Sequence, residues 1–206
     1  MNNFLDSWLN KWDRVVVFAG VFDPVHIGHL SAAETALRHG KRVVFLPERI
    51  PQHKHGSTDY KHRLEMLRLA TQHNKRFDVL DYDQDHQFIE PVFSWLQLKY
   101  PESSFVWLVG SDVVEQIPTW SGADKLNSLF VVDVLYLDRD GDERPETVKI
   151  SNSITAHKIK RTRYRSKHKK HAVIRSKTVR GNLATHHTQL IHEVYEYIKA
   201  NNLYKA

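Results

Sequence analysis

Strand-length runs of β-branched and apolar residues alternate with amphipathic helical stretches along most of this chain, and few folds accommodate that pattern. Residues 14–18 (RVVVF) read as a strand. A turn with Gly20 and Pro24 follows, then HLSAAETALRHG, which is helical in composition and ends on a glycine stop. The unit repeats: RVVFLP is a second strand, and DYKHRLEMLRLATQH is an amphipathic helix carrying Leu64, Leu67 and Leu69. A further strand is expected over 77–82. PVFSWLQLKYP reads as a helix bounded by prolines, SFVWLVG and LFVVDVLYL as two more strands, and QLIHEVYEYIKANNLY as a closing amphipathic helix. Strands alternating with helices predict an α/β fold with a doubly wound, mostly parallel sheet and helices on both faces. Such sheets bind ligands at the carboxyl ends of their strands, where strand order reverses. The loop after the first strand is therefore the place to look for a site.

Two stretches stand outside the alternation. Leu5, Trp8, Leu9 and Trp12 recur at helical spacing, so residues 1–13 read as an N-terminal helical extension. Residues 139–172 are polar, then basic, without an apolar period, and read as a loop or irregular excursion. At 206 residues the whole chain, 1–206, is expected to form one domain. There is no cysteine, which excludes a disulfide framework, a thiolate metal site and a thiol nucleophile, and suits a reducing cytoplasm. No run approaches the ~20 apolar residues that cross a bilayer, and the first residues lack a cationic stretch followed by a long apolar one. No membrane partner and a cytoplasmic location are expected.

The net charge of +6 is carried by one segment: 158–180 holds eleven Lys or Arg and no acid. Three readings fit it: a solvated face, electrostatic attraction of a polyanionic substrate, or nucleic-acid binding. Tyr164 is its only aromatic residue, so the stacking platforms that single-stranded nucleic acids use are scarce, and nucleic acid is the minor reading.

The loop after the first strand reads Ala19-Gly20-Val21-Phe22-Asp23-Pro24-Val25-His26-Ile27-Gly28-His29. Gly20 permits a close turn, Pro24 stiffens the loop, and His26 and His29 stand three apart, on one face if a helix begins there. At a helix N-terminus two imidazoles can bind phosphate and stabilise charge that develops during its transfer. Among 14 histidines, such a pair is also compatible with ordinary surface or core residues, or with a metal site.

The complete string resembles the motif GxFDPxHxGH of the nucleotidyltransferase superfamily and falls where that motif belongs. The resemblance implies a Rossmann-like fold, ATP or CTP with magnesium, and no covalent intermediate. It implies that Gly20, Val21, Phe22 and Asp23 line the nucleotide and that His26 and His29 contact its phosphates. Residues 45–47, then Ile50-Pro51-Gln52-His53-Lys54, then His62-Arg63-Leu64-Glu65-Met66 are similar to the region of bacterial nicotinate-nucleotide adenylyltransferases with a PPHK loop and an HRLEM helix. There Lys54 offers a charge to phosphate, although His53 and Lys54 taken alone read as a solvated loop, and family resemblance places Arg63 near the site. Val109-Gly110-Ser111-Asp112 and the later Trp120 resemble the stretch that lines the nucleotide and nicotinate pocket, with Trp120 stacking on the pyridine. A tryptophan half-buried under a loop is an equally good reading of Trp120. Asp112 orients ribose or caps the next helix.

Residues 174–180 (IRSKTVR) occupy the place of the family's ISSTxIR motif, with Ser176 and Arg180 matching it. They imply a second phosphate-binding element, so that 174–206 combines that element with the closing helix. Ile150-Ser151-Asn152-Ser153 resembles the same motif by letters but lies too far from the C-terminus and lacks the arginine. Val21 stands where the family has Ser or Thr, and Arg175 and Lys177 replace Ser and Thr. Residues 87–89 (QFI) take the place of an SYT segment tied to nicotinate recognition. The expected reaction is adenylyl transfer from ATP, with magnesium, to nicotinate mononucleotide. Nicotinamide mononucleotide or phosphopantetheine are alternative acceptors, and a non-catalytic nucleotide- or RNA-binding descendant is the reading from another class.

Overall fold

A computed structural model describes residues 13–51, 56–83, 89–120, 122–123, 126, 132–137, 145–151, 154–159 and 174–204. The first half alternates as β1 (Arg14–Gly20), α1 (Ile27–Ala36), β2 (Arg42–Pro47), α2 (Tyr60–Thr71), β3 (Phe77–Val79) and α3 (Ile89–Lys99). Then follow β4 (Ser104–Gly110), a one-turn α4 (Ser111–Val114) and β5 (Val132–Leu137). The third strand is thus shorter than 77–82. The expected N-terminal helix falls almost wholly on residues outside the described ones, as do His53, Lys54, Gln87, Phe88 and residues 160–173 of the basic segment.

The strands form one sheet in the order β3-β2-β1-β4-β5-β7-β6, in which β6 and β7 are Thr147–Lys149 and Thr155–Lys158. Those two strands correct the expectation of an irregular excursion over 139–172. β7 runs parallel to β5, with Val134 opposite Ala156, and β6 pairs with it antiparallel, Val148 opposite Ala156. An edge pair of three and four residues needs no apolar run: Ala156 is fully buried, Thr155 and His157 beside it are exposed, and Ile150 and Ile154 turn inward between the strands.

The central strands are buried on both faces, as their near-continuous apolar sequences require. Val15 and Val17 of β1 point with Phe105 and Trp107 of β4 into one core, closed by Val92, Phe93 and Leu96 of α3. Val16 and Phe18 point into the other, closed by Leu30 and Ala33 of α1, Met66 and Leu67 of α2, and Val194 and Ile198 of the closing helix α7 (His192–Ala200). Each fully buried valine contributes roughly 1.5–3 kcal/mol of apolar transfer free energy. Between β7 and α7 the chain forms the short helices α5 (Ser176–Gly181) and α6 (Leu183–His186). Strand order reverses between β1 and β4, whose register sets Phe18 beside Leu108, so the ends at Gly20 and Gly110 border one crevice.

Candidate active site

The loop from β1 into α1 opens that crevice. Gly20 is the last residue of β1 and does not make the turn. The left-handed residue is Phe22, at φ 50°. What Gly20 supplies is the absence of a side chain, since a Cβ there would meet the Phe22 ring at 3.3 Å. Phe22 packs edge-on against Phe18 at 5.3 Å and against the His29 ring at 5.1 Å. The Val21 side chain is buried as well, and its carbonyl accepts from Arg63 Nη1 at 2.9 Å.

His26 caps α1 in an extended conformation, and its carbonyl accepts the His29 N–H at 2.9 Å. The His26 N–H in turn donates to His29 Nδ1 at 3.2 Å, and the two rings stack with centroids 3.7 Å apart and planes 23° from parallel. Accepting at Nδ1 leaves Nε2 to carry the His29 ring proton. Both imidazoles therefore sit at the positive end of a ten-residue helix, with His26 buried and His29 partly exposed.

Arg63 sets the loop. It is 1% exposed and donates from Nε to the Thr58 carbonyl at 2.8 Å, from Nη1 to Val21 and Glu48 at 2.9 and 2.7 Å, and from Nη2 to Arg49 at 3.1 Å. One guanidinium thus ties the exits of β1 and β2 to the start of α2. Burial lowers its pKa, and the negative charges of Asp23 and Glu48 oppose that shift. Asp23 is 3% exposed. Its Oδ2 accepts the Thr58 N–H at 3.2 Å, its Oδ1 accepts the Tyr204 hydroxyl at 2.6 Å, and Arg180 Nη1 lies 3.4 Å from Oδ2. Arg180 also donates to the Asp23 carbonyl, and Ser176 Oγ donates to the Pro24 carbonyl at 3.0 Å. Two residues 150 and more positions away along the chain are clipped onto the same loop as the histidines. Among the described residues, no three His, Asp or Glu side chains cluster so as to hold a metal ion, and no helix is long and apolar enough to cross a membrane.

Residues 17–182 match the cytidylyltransferase-like family. The chain belongs to the cytidylyltransferase-like family. The nicotinate-nucleotide adenylyltransferase of Bacillus subtilis is 34% identical over 124 residues, covering 57% of this chain and 66% of that protein. A probable nicotinate-nucleotide adenylyltransferase of Nostoc is 35% identical over 118 residues, and this chain spans 56% of its length. Another, of Carboxydothermus hydrogenoformans, is 30% identical over 93% of this chain and 98% of that protein. Among solved structures, Plasmodium falciparum nicotinic acid mononucleotide adenylyltransferase complexed with NaAD superposes with a TM-score of 0.72. At 16% identity, over 93% of this chain and 97% of that one, it shows a shared fold.

In this cytidylyltransferase-like chain the other expected site residues divide by position. Gly110 ends β4 and caps α4, and Asp112 is exposed in the first turn of that helix, its carbonyl accepting from Gln116 Nε2 at 2.8 Å. Trp120 is half-buried, tilted on Trp107 with centroids 5.8 Å apart, on the α3 side of the sheet. The side chains of Val21, Phe22 and Asp23 are turned into the protein, which leaves their backbone to border the crevice. Sequence reasoning missed Thr58 and Tyr204 and reduced Arg63 to a neighbour of the site. For Arg63 the HRLEM resemblance was a signal. For Thr58 no spacing or motif pointed to the contact with Asp23.

Proposed function

We propose that this chain transfers the adenylyl group of ATP to nicotinate mononucleotide, giving deamido-NAD and pyrophosphate, in the cytoplasm. One observation carries the reading: the stacked His26–His29 pair at the N-terminus of α1 sits on the same loop that Ser176 and Arg180 grip, beside the reversal of strand order. The names of the relatives support the choice of acceptor. An oxygen of the substrate's phosphate attacks the α-phosphorus in line, the bond to the bridging oxygen breaks, and pyrophosphate leaves. That phosphate is already ionised near neutral pH, so no general base is needed, and catalysis is positioning plus charge stabilisation.

His26, His29 and Arg180 stabilise the leaving group, and Ser176 and Lys54 hold phosphate oxygens. Gly20 to Asp23 border the nucleotide with their backbone, Gly110 and Asp112 with the end of β4, and Trp120 offers a face to a flat ring. Magnesium is carried by the triphosphate, where it neutralises charge. All of 1–206 acts as one domain, with 174–206 as its second phosphate-binding element. The test is an acceptor panel of nicotinate mononucleotide, nicotinamide mononucleotide and phosphopantetheine, each with ATP, read as pyrophosphate release. Release with nicotinate mononucleotide above the others is expected. Release with another acceptor alone replaces the substrate, and salt-sensitive RNA retention without any release marks a binding protein instead.

A further inference from the structure

Arg180 cannot serve a triphosphate and Asp23 equally well, and the structure contains a device that bears on that competition. The Asp23 carboxylate is nearly sealed from water, so its charge must be met inside the protein. Three donors meet it: the Tyr204 hydroxyl at 2.6 Å, the Thr58 N–H at 3.2 Å and Arg180 Nη1 at 3.4 Å. Arg180 is the longest of the three, its Nη1 lying closer to the Asp23 backbone carbonyl than to the carboxylate, and it keeps its side chain 33% exposed. Tyr204 is brought there at the cost of a reversal just after α7. Asn202 and Tyr204 both take the left-handed conformation, at φ 52° and 58°, and the Leu203 N–H returns to the Ile198 carbonyl at 3.0 Å. Asn202 is the left-handed residue of an ordinary helix C-terminal cap, its N–H returning to the Lys199 carbonyl at 3.1 Å, whereas a bulky residue such as Tyr204 rarely takes that conformation.

We propose that Tyr204 is a positioning residue that satisfies the Asp23 carboxylate, so that the carboxylate does not capture the Arg180 guanidinium and Arg180, anchored on the Asp23 backbone carbonyl, can serve the nucleotide phosphates; this rests on the role given to Arg180 above. Burial and the neighbouring Asp23 charge raise the pKa of Tyr204, so it remains a donor throughout the physiological range. Without its hydroxyl, Asp23 falls back on Thr58 and on Arg180, its one charged donor among the described residues, and the guanidinium is drawn away from ATP.

The experiment is a double-mutant cycle on the intact protein, with wild type, Tyr204→Phe, Arg180→Ala and the pair, read as ATP affinity by calorimetry. The phenylalanine keeps the ring packed against the core that holds Met66 and removes only the hydroxyl, which also lies 4.0 Å from Met66 Sδ. Tyr204→Phe is expected to weaken ATP on the order of tenfold, as loss of one hydrogen bond to a charged group allows. In the Arg180→Ala background the same change is expected to have almost no effect. Unchanged ATP affinity in Tyr204→Phe overturns the proposal, as does an equal loss in both backgrounds, which is what a merely structural role gives. Pyrophosphate release by wild type is measured in parallel. ATP binding with no release from any acceptor sinks the reading of the reaction and leaves the cycle to decide this one; a wild type that binds no ATP overturns both.

Discussion

The backbone N–H of His26 donates to Nδ1 of His29 across 3.2 Å, so the same histidine that opens α1 fixes the ring orientation of its partner one turn on. A cap that usually falls to an acidic or amide side chain is here made by an imidazole, and the ring nitrogen left over carries a proton. The local structure of the helix start and the chemistry of the site are one arrangement.

His29→Ala is expected to lower turnover roughly 10²-fold or more, the cost of removing one preorganised donor to developing charge. His29→Asn keeps an acceptor near the position of Nδ1 but loses the distal N–H. It should lose as much turnover while sparing most of the ~1 kcal/mol that a helix cap contributes. Steady-state kinetics with thermal melts of both variants separates the two effects. Wild-type turnover in His29→Asn removes the Nε2 donor from the account.

Arg63→Met leaves the carbonyls of Thr58, Val21, Glu48 and Arg49 without their shared donor. Because the site is buried, the expected loss is about 3 kcal/mol or more, visible as a lower urea midpoint. A loss within the ~0.5 kcal/mol usual for surface substitutions contradicts the role given to this guanidinium.

The alternation of strands and helices and the place of the loop at 20–29 were legible because both rest on local pattern: β-branched runs, a proline-stiffened turn, two histidines three apart. β6 and β7 were not, because Thr155–Lys158 buries only Ala156 and gives a period-two signal too short to read. The Asp23 cluster was equally hidden. It joins residues 35, 157 and 181 positions apart; motif resemblance marked Asp23 and Arg180 separately, but nothing local joined them, and Thr58 and Tyr204 alone are an ordinary threonine and tyrosine. Gly20 does not make the turn expected of it: its conformation is that of a strand, and the constraint on it is the Phe22 ring.

Alkaline pH should unfold this protein earlier than its charge alone implies. Burial raises the pKa of Tyr60 and of Tyr204, in each case as the largest cause, with Asp81 and Asp23 adding to it. An unfolded tyrosine releases its proton near pH 10 while these two keep theirs, so above about pH 10 the folded state binds more protons and stability falls as pH rises. Melting temperatures between pH 8 and 11 should hold until that point and then drop. Tyr204→Phe should flatten the drop, and an unaltered slope in that variant contradicts the assignment.

Ser176→Ala removes the hydroxyl that donates to the Pro24 carbonyl at 3.0 Å. About 1 kcal/mol of stability is expected to be lost, with weaker ATP binding because α5 is less firmly clipped to the loop. Chemical denaturation and ATP titration of the same sample test this, and full ATP affinity alongside reduced stability would confine Ser176 to a structural role.

The most direct measurement follows the α-phosphorus itself. Wild-type protein is given nicotinate mononucleotide and ATP labelled at the α-phosphate, and the products are separated. Label is expected in a dinucleotide of the mass of deamido-NAD, with unlabelled pyrophosphate in equal amount, and neither product is expected from His29→Ala at a comparable rate. Label recovered only as ATP, or as AMP or ADP without dinucleotide, contradicts adenylyl transfer at this site.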